Sequence, residues 1–89
     1  MMRMKLCVDN LIIERRGICM KIIDSKSLGE AIRIRRKELK YTQAYIAEFT
    51  GFSVSFISDL ERGKATAEIG KAITIINLLG MDILVEKRG

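Results

Sequence analysis

Apolar residues recur along this chain with two periods, and each change of period marks an element. Residues 11–13 and 18–23 are rich in β-branched side chains on either side of Glu14-Arg15-Arg16-Gly17, which predicts a hairpin with a four-residue loop. From residue 27 the period lengthens. Leu28, Ile32 and Leu39 fall on one face of a helix running to about Lys40, with Ser27 as its N-cap and Glu30 completing a capping box. Residues 66–79 repeat the helical pattern with Ile69, Ala72, Ile73, Ile76 and Leu79, a stripe able to close a bundle, and Gly80 ends it. Residues 81–87 return to alternation, with Met81, Ile83 and Val85 on one side and Asp82, Leu84 and Glu86 on the other, and so predict a strand. A lone strand leaves its backbone groups unpaired, so this one needs a partner, either the N-terminal segment of its own chain or the same strand of a second chain.

The stretch 42–64, TQAYIAEFTGFSVSFISDLERGK, organises the rest. Gln43 and Ala44 open a helix that buries Ile46 and Ala47, and Gly51 breaks it where a tight turn needs a residue tolerating positive φ. Ser53 can N-cap a second helix whose apolar stripe is Ile57 and Leu60, and Gly63 ends that helix. Helices crossing this closely need a small residue at the contact. Ala47, four residues before Gly51, supplies it, and Ile57, six after, is the wedge. Ser53, Ser55 and Ser58 share the outer face of the second helix, where a hairpin that merely filled a core would have no use for them.

The set Gln43, Ala47, Gly51, Ile57, Leu60, Glu61 and Gly63 resembles the Xre-type helix-turn-helix family of phage repressors and Cro. That resemblance implies a mainly α, lambda-repressor-like bundle of four to five helices with a C-terminal β-strand for dimerisation. It also implies a docking mode in which the second motif helix enters the DNA major groove. The base-reading positions then fall on Val54 and Ser55, with Ser53, Ser58 and Asp59 as neighbours able to reach a base or a phosphate. Family members often carry a long polar or basic residue where this chain has Val54, so the valine implies apolar contact with a thymine methyl. Asp59 either accepts from cytosine N4 or is a solvated acid repelled by phosphate. Thr42 and Gln43 match the family's phosphate-binding helix N-terminus, and Arg62 and Lys64 would touch flanking phosphates. Phe52 corresponds to the apolar residue that seals the turn. Arg36 and Glu61 occupy the positions of an ion pair linking the first helix to the end of the recognition helix.

With the flanks SLGEAIRIRRKEL and LGMDILVEK included, residues 27–87 resemble the HipB-like antitoxins. This implies a homodimer that represses its own operon at an inverted repeat and binds a HipA-like kinase toxin. Ile83, Leu84 and Val85 would then form a two-stranded ribbon across the two-fold axis. A mobile-element repressor or a restriction-modification control protein fits the same motif, and an adaptor that binds protein without DNA affinity is the alternative of another class.

Composition narrows this picture. Eighty-nine residues with 48% hydrophobic content make one small domain that dimerisation would help to stabilise. Within it, residues 1–24 read as an extension, 25–80 as the DNA-binding unit and 81–89 as the dimerisation strand. Met20 is an alternative start, because Glu14-Arg15-Arg16-Gly17 is what a purine-rich ribosome-binding site would encode. The net charge of +5 suits a polyanion, yet 42–64 sets Arg62 and Lys64 against Glu48, Asp59 and Glu61, which is the best argument for the adaptor. The basic excess lies in 27–41, where Arg33, Arg35, Arg36, Lys37 and Lys40 oppose Glu30 and Glu38. There Arg33, Lys37 and Lys40 form either a phosphate-facing stripe or a solvated face. Histidine is absent, and Cys7 and Cys19 lie in no metal-ligand pattern, so no enzyme, metal or cofactor is expected. The cysteines read as reduced thiols of an intracellular protein, with a Cys7–Cys19 disulfide the alternative. No stretch is apolar for the ~18 residues a span needs, and no signal-peptide pattern opens the chain, which points to the cytoplasm.

Overall fold

The computed structural model describes residues 11–14 and 17–88, with side chains from Met20 onward. Strands β1 (Leu11–Glu14) and β2 (Gly17–Met20) pair antiparallel, Ile13 opposite Ile18 and Glu14 opposite Gly17. The last pair leaves residues 15 and 16 between the strands where four were expected. Extending the ladder satisfies backbone groups that a longer loop would leave to water. Cys7 and the side chain of Cys19 lie outside the described residues.

Helix α1 (Ser25–Glu38) starts earlier than its sequence pattern predicts. Its N-cap is Asp24, whose carboxylate accepts the Ser27 N–H at 2.8 Å while Ser27 Oγ accepts the Asp24 N–H at 3.1 Å. Ser27 is therefore the third residue of the helix and the reciprocal half of the capping box, the role expected of Glu30. Aspartate caps as well as serine does, so the upstream residue takes the position. The helix closes on Leu39, and Lys40 turns the chain with a φ of 61°.

Helices α2 (Gln43–Thr50) and α3 (Val54–Glu61) form the motif. Thr42 Oγ1 accepts the Tyr45 N–H at 3.0 Å and Ser53 Oγ accepts the Phe56 N–H at 3.0 Å, so each start is capped. Gly51, with a φ of 83°, makes the turn between them. Helix α4 spans Ile69–Leu78 rather than 66–79, and its N-cap Glu68 makes no side-chain cap. Ala72, Ile75, Ile76 and Leu79 are its buried stripe at i, i+3, i+4, i+7, whereas Ile69 and Ile73, expected inside, are 62% and 40% exposed. A run so rich in isoleucine supports two apolar faces, and packing chooses between them.

Ile32 of α1, Ile46 of α2, Ile57 of α3 and Ile76 of α4 meet in one core with Ala31, Ala47, Leu60 and Leu79, and Leu28, Leu39 and Phe52 pack at its edge. Helix α3 lies against both α1 and α2. Met81 also joins the core, its N–H bonded to the Ile76 carbonyl at 3.1 Å. Beyond it the predicted strand over 81–87 is not formed. Ile83 holds a single β-bridge position, and no strand follows among the described residues. A strand exists only when a neighbour accepts its backbone hydrogen bonds, and the described residues present no full ladder there. No described helix is long and apolar enough to cross a membrane.

Candidate nucleic-acid interface

Helix α3 is divided by its own sequence. Ile57, Leu60 and Glu61 are buried, which turns Ser53, Val54 and Ser55 outward at its N-terminal end. Val54 is 45% exposed, an apolar side chain with two small hydroxyl residues beside it. Ser58 and Asp59 are half-buried further along. Asp59 is not an isolated solvated acid: its Oδ1 lies 2.6 Å from Arg62 Nη2 and its Oδ2 lies 3.6 Å from Lys64 Nζ. The two cations expected at flanking phosphates thus share one carboxylate just past the helix end. Exposed pairs of this kind contribute between zero and about 1 kcal/mol, so the cations can exchange Asp59 for a phosphate at little cost.

At the other end of the motif Thr42 is exposed and Gln43 half-buried. The Gln43 side chain faces inward with its Nε2, which donates to Glu61 Oε1 at 3.1 Å. Glu61 is held in turn by Arg36, Nε to Oε2 at 2.6 Å and Nη2 to Oε1 at 3.0 Å, with both residues less than one-tenth exposed. The third Arg36 donor, Nη1, reaches the Tyr41 carbonyl at 2.8 Å. One buried network thereby joins α1, the turn before α2, the first residue of α2 and the last residue of α3. No buried side-chain polar atom among the described residues is left without a partner.

Arg33 and Lys37 of α1 and Lys40 just past its end are exposed. Arg35 is not part of that stripe: its Nε donates to the Leu79 carbonyl at 2.9 Å, closing the C-terminal end of α4, and its Nη1 bonds Glu38 at 3.2 Å. Ile83 and Val85 are exposed and Leu84 half-buried in the tail. Two features escape a search for base-reading residues. Tyr41, Tyr45 and Phe49 form a ladder with ring centroids 4.8 and 6.2 Å apart, ending on the exposed face of α2, and their i, i+4, i+8 spacing is visible in the sequence. Lys71 of α4 sits 5.4 Å from the ring centroids of both Phe52 and Phe56, across a sequence distance that no local pattern reveals.

Residues 32–85 match the helix-turn-helix family HTH_3. Over 56 residues, 63% of this chain and 74% of the relative, the sequence is 43% identical to y4mF, an uncharacterized HTH-type transcriptional regulator of Sinorhizobium fredii. It is 33% identical over 60 residues to the ImmF control region 10 kDa protein of Bacillus phage phi105, covering 64% of this chain and 67% of that one. Two solved structures share the fold, a HipB–O4 20mer complex and a HipA–HipB–O2–O3 complex. Each matches with a TM-score of 0.71 at 20% identity over 79% of this chain and 99% of theirs.

Proposed function

Because this chain belongs to the helix-turn-helix family of DNA-binding regulators, we propose that it is a sequence-specific repressor, the antitoxin of a HipBA-like pair that represses its own operon. The observation carrying the DNA reading is the outward Ser53-Val54-Ser55 end of α3, set on a helix whose other face is locked into the core. Val54 and Ser55 read base edges, with Ser53, Ser58 and Asp59 beside them, while Thr42, Gln43, Arg62 and Lys64 hold phosphates. The antitoxin reading is supported by the fold shared with HipB, one of whose structures contains HipA. On that reading a HipA-like kinase is the protein partner, and the protein works in the cytoplasm as a homodimer joined through Ile83, Leu84 and Val85.

A gel shift on a duplex from the region upstream of its own coding sequence tests the DNA reading. Affinity should fall about a thousandfold between about 50 and about 200 mM salt as phosphate contacts release counterions. A protein that shifts no duplex at either salt is the adaptor instead. Co-purification with the kinase encoded beside it, and loss of repression when that kinase is in excess, would separate an antitoxin from a phage-type repressor.

A further inference from the structure

We propose that Glu61 is a positioning residue for DNA binding, because its buried carboxylate fixes the side-chain amide of Gln43 in one orientation at the start of α2. The inference rests on the reading that Gln43 meets a DNA phosphate. A carboxylate pinned by Arg36 at 2.6 and 3.0 Å has no freedom to move, and it is an acceptor only. Whatever meets it must donate, so the amide nitrogen of Gln43 turns toward Glu61 at 3.1 Å and the amide plane is set. The nitrogen carries two hydrogens. One is taken by Glu61, and the other points away from the carboxylate as a donor for an anion arriving at the α2 N-terminus. Without the carboxylate, either end of the amide faces outward, and the carbonyl end repels a phosphate.

The position of Arg36 strengthens this. Its Nη1 also holds the Tyr41 carbonyl at 2.8 Å, one residue before the Thr42 cap. The same network therefore sets where the backbone enters α2 and how its first side chain is turned, so the donor needs no reordering when DNA arrives. Preorganisation of this kind saves the ordering cost of a flexible side chain.

The sign of the charge effect makes the idea separable from simple electrostatics. Glu61→Gln removes a negative charge from a protein that binds a polyanion, which alone tightens binding. Positioning predicts the reverse. Operator Kd is measured for the wild type, Gln43→Ala, Glu61→Gln and the double variant, well below the melting temperature of each and with folded content checked by circular dichroism. Gln43→Ala should weaken binding about tenfold with an unchanged salt slope, since a neutral amide displaces no counterion. Glu61→Gln should weaken binding by a similar factor when Gln43 is present, and when residue 43 is alanine it should leave only the charge effect, with binding unchanged or tighter. Equal weakening in both backgrounds is a folding defect and overturns the proposal, as does tighter binding by Glu61→Gln with Gln43 present.

A second measurement leaves the network intact. The Gln43 side-chain amide of the DNA-free wild type should show 15N relaxation as rigid as the backbone of α2, and a freely rotating amide would overturn the proposal. If the wild type binds no DNA, the functional reading itself fails and the proposal with it. If it binds and no coupling is seen, only the positioning role fails.

Discussion

Gly29 of α1 packs directly against the backbone of Leu60 and Glu61 in α3, so that a Cβ at position 29 would meet the Leu60 carbonyl and stand 2.7 Å from that of Glu61. Beside the Arg36–Glu61 pair and the shared core, α1 and α3 thus also touch through main chain. Gly29→Ala should therefore destabilise by about 1–3 kcal/mol despite the better helix propensity of alanine, because the obstacle is backbone and cannot swing aside. Gly70→Ala is the control: nothing lies within 4 Å of a Cβ there, and it should stabilise by up to about 1 kcal/mol. Thermal melts of the two variants should shift in opposite directions, and a shared direction would contradict the close contact.

Glu61→Gln should lower stability by about 3 kcal/mol, since it leaves the Arg36 charge buried without its counter-ion. Glu48→Gln, on the exposed face of α2, should change stability by less than about 0.5 kcal/mol. Urea melts distinguish them, and equal midpoints would mean that the pair is not needed.

Asp24 gives the fold an acid-sensitive start. Its carboxylate accepts the Ser27 backbone N–H, then the Ser27 hydroxyl interacts with it and Lys26 lies near, which together hold its pKa below the ordinary value of 3.8. A lowered folded pKa means that the cap's charge contributes stability above the unfolded value and loses it as pH falls through the folded one. Asparagine at this position caps about equally well and does not titrate. Asp24→Asn should thus melt like the wild type at neutral pH and lose less stability as the pH falls through and below 3.8. Parallel curves would remove Asp24 from the acid response.

Much of this was legible in the chain because the motif's signals are local. Gly51 at the turn, Ser53 at the cap and Ile57 and Leu60 inside follow from spacing alone. Errors came where two residues of equal chemistry compete. Asp24 and Ser27 both cap, and the isoleucines of α4 offer two stripes, so only tertiary packing decides. The inward bond of Gln43 and the reach of Lys71 across two rings join residues far apart in sequence, which periodicity cannot see. Strand formation at 81–87 depends on backbone partners outside the segment, which its own periodicity cannot supply.

Sequence readout and affinity should divide between α3 and the residues after it. Ser55→Ala should alter base preference at one operator position, costing about 1 kcal/mol there, and Val54→Ala should relax a preference for thymine. Lys64→Ala should weaken operator and random DNA alike and reduce the salt slope by about one, with the loss tempered because Lys64 also leaves Asp59 on binding. Competition with random duplex reads the difference. Equal losses on both duplexes for the Val54 and Ser55 variants would argue against α3 lying in the major groove.

The exposed tail provides the last test. Ile83 is 45% and Val85 87% exposed, an arrangement that wastes two β-branched apolar side chains unless something covers them. Ile83 already sits at a β-bridge position, so the backbone there is extended enough to pair. A second copy meeting this segment antiparallel would supply the missing ladder and fix two recognition helices about 34 Å apart, one helical turn of DNA. Deletion of residues 82–89 is the right truncation, because Met81 belongs to the core and must stay. That protein should melt near the full chain at low concentration, sediment as a monomer and bind the operator at least about a hundredfold more weakly, since each half-site would then be occupied alone. If the truncated chain remains dimeric, the two-fold contact lies elsewhere, and the exposed Ile69 and Ile73 on α4 become the face to substitute next.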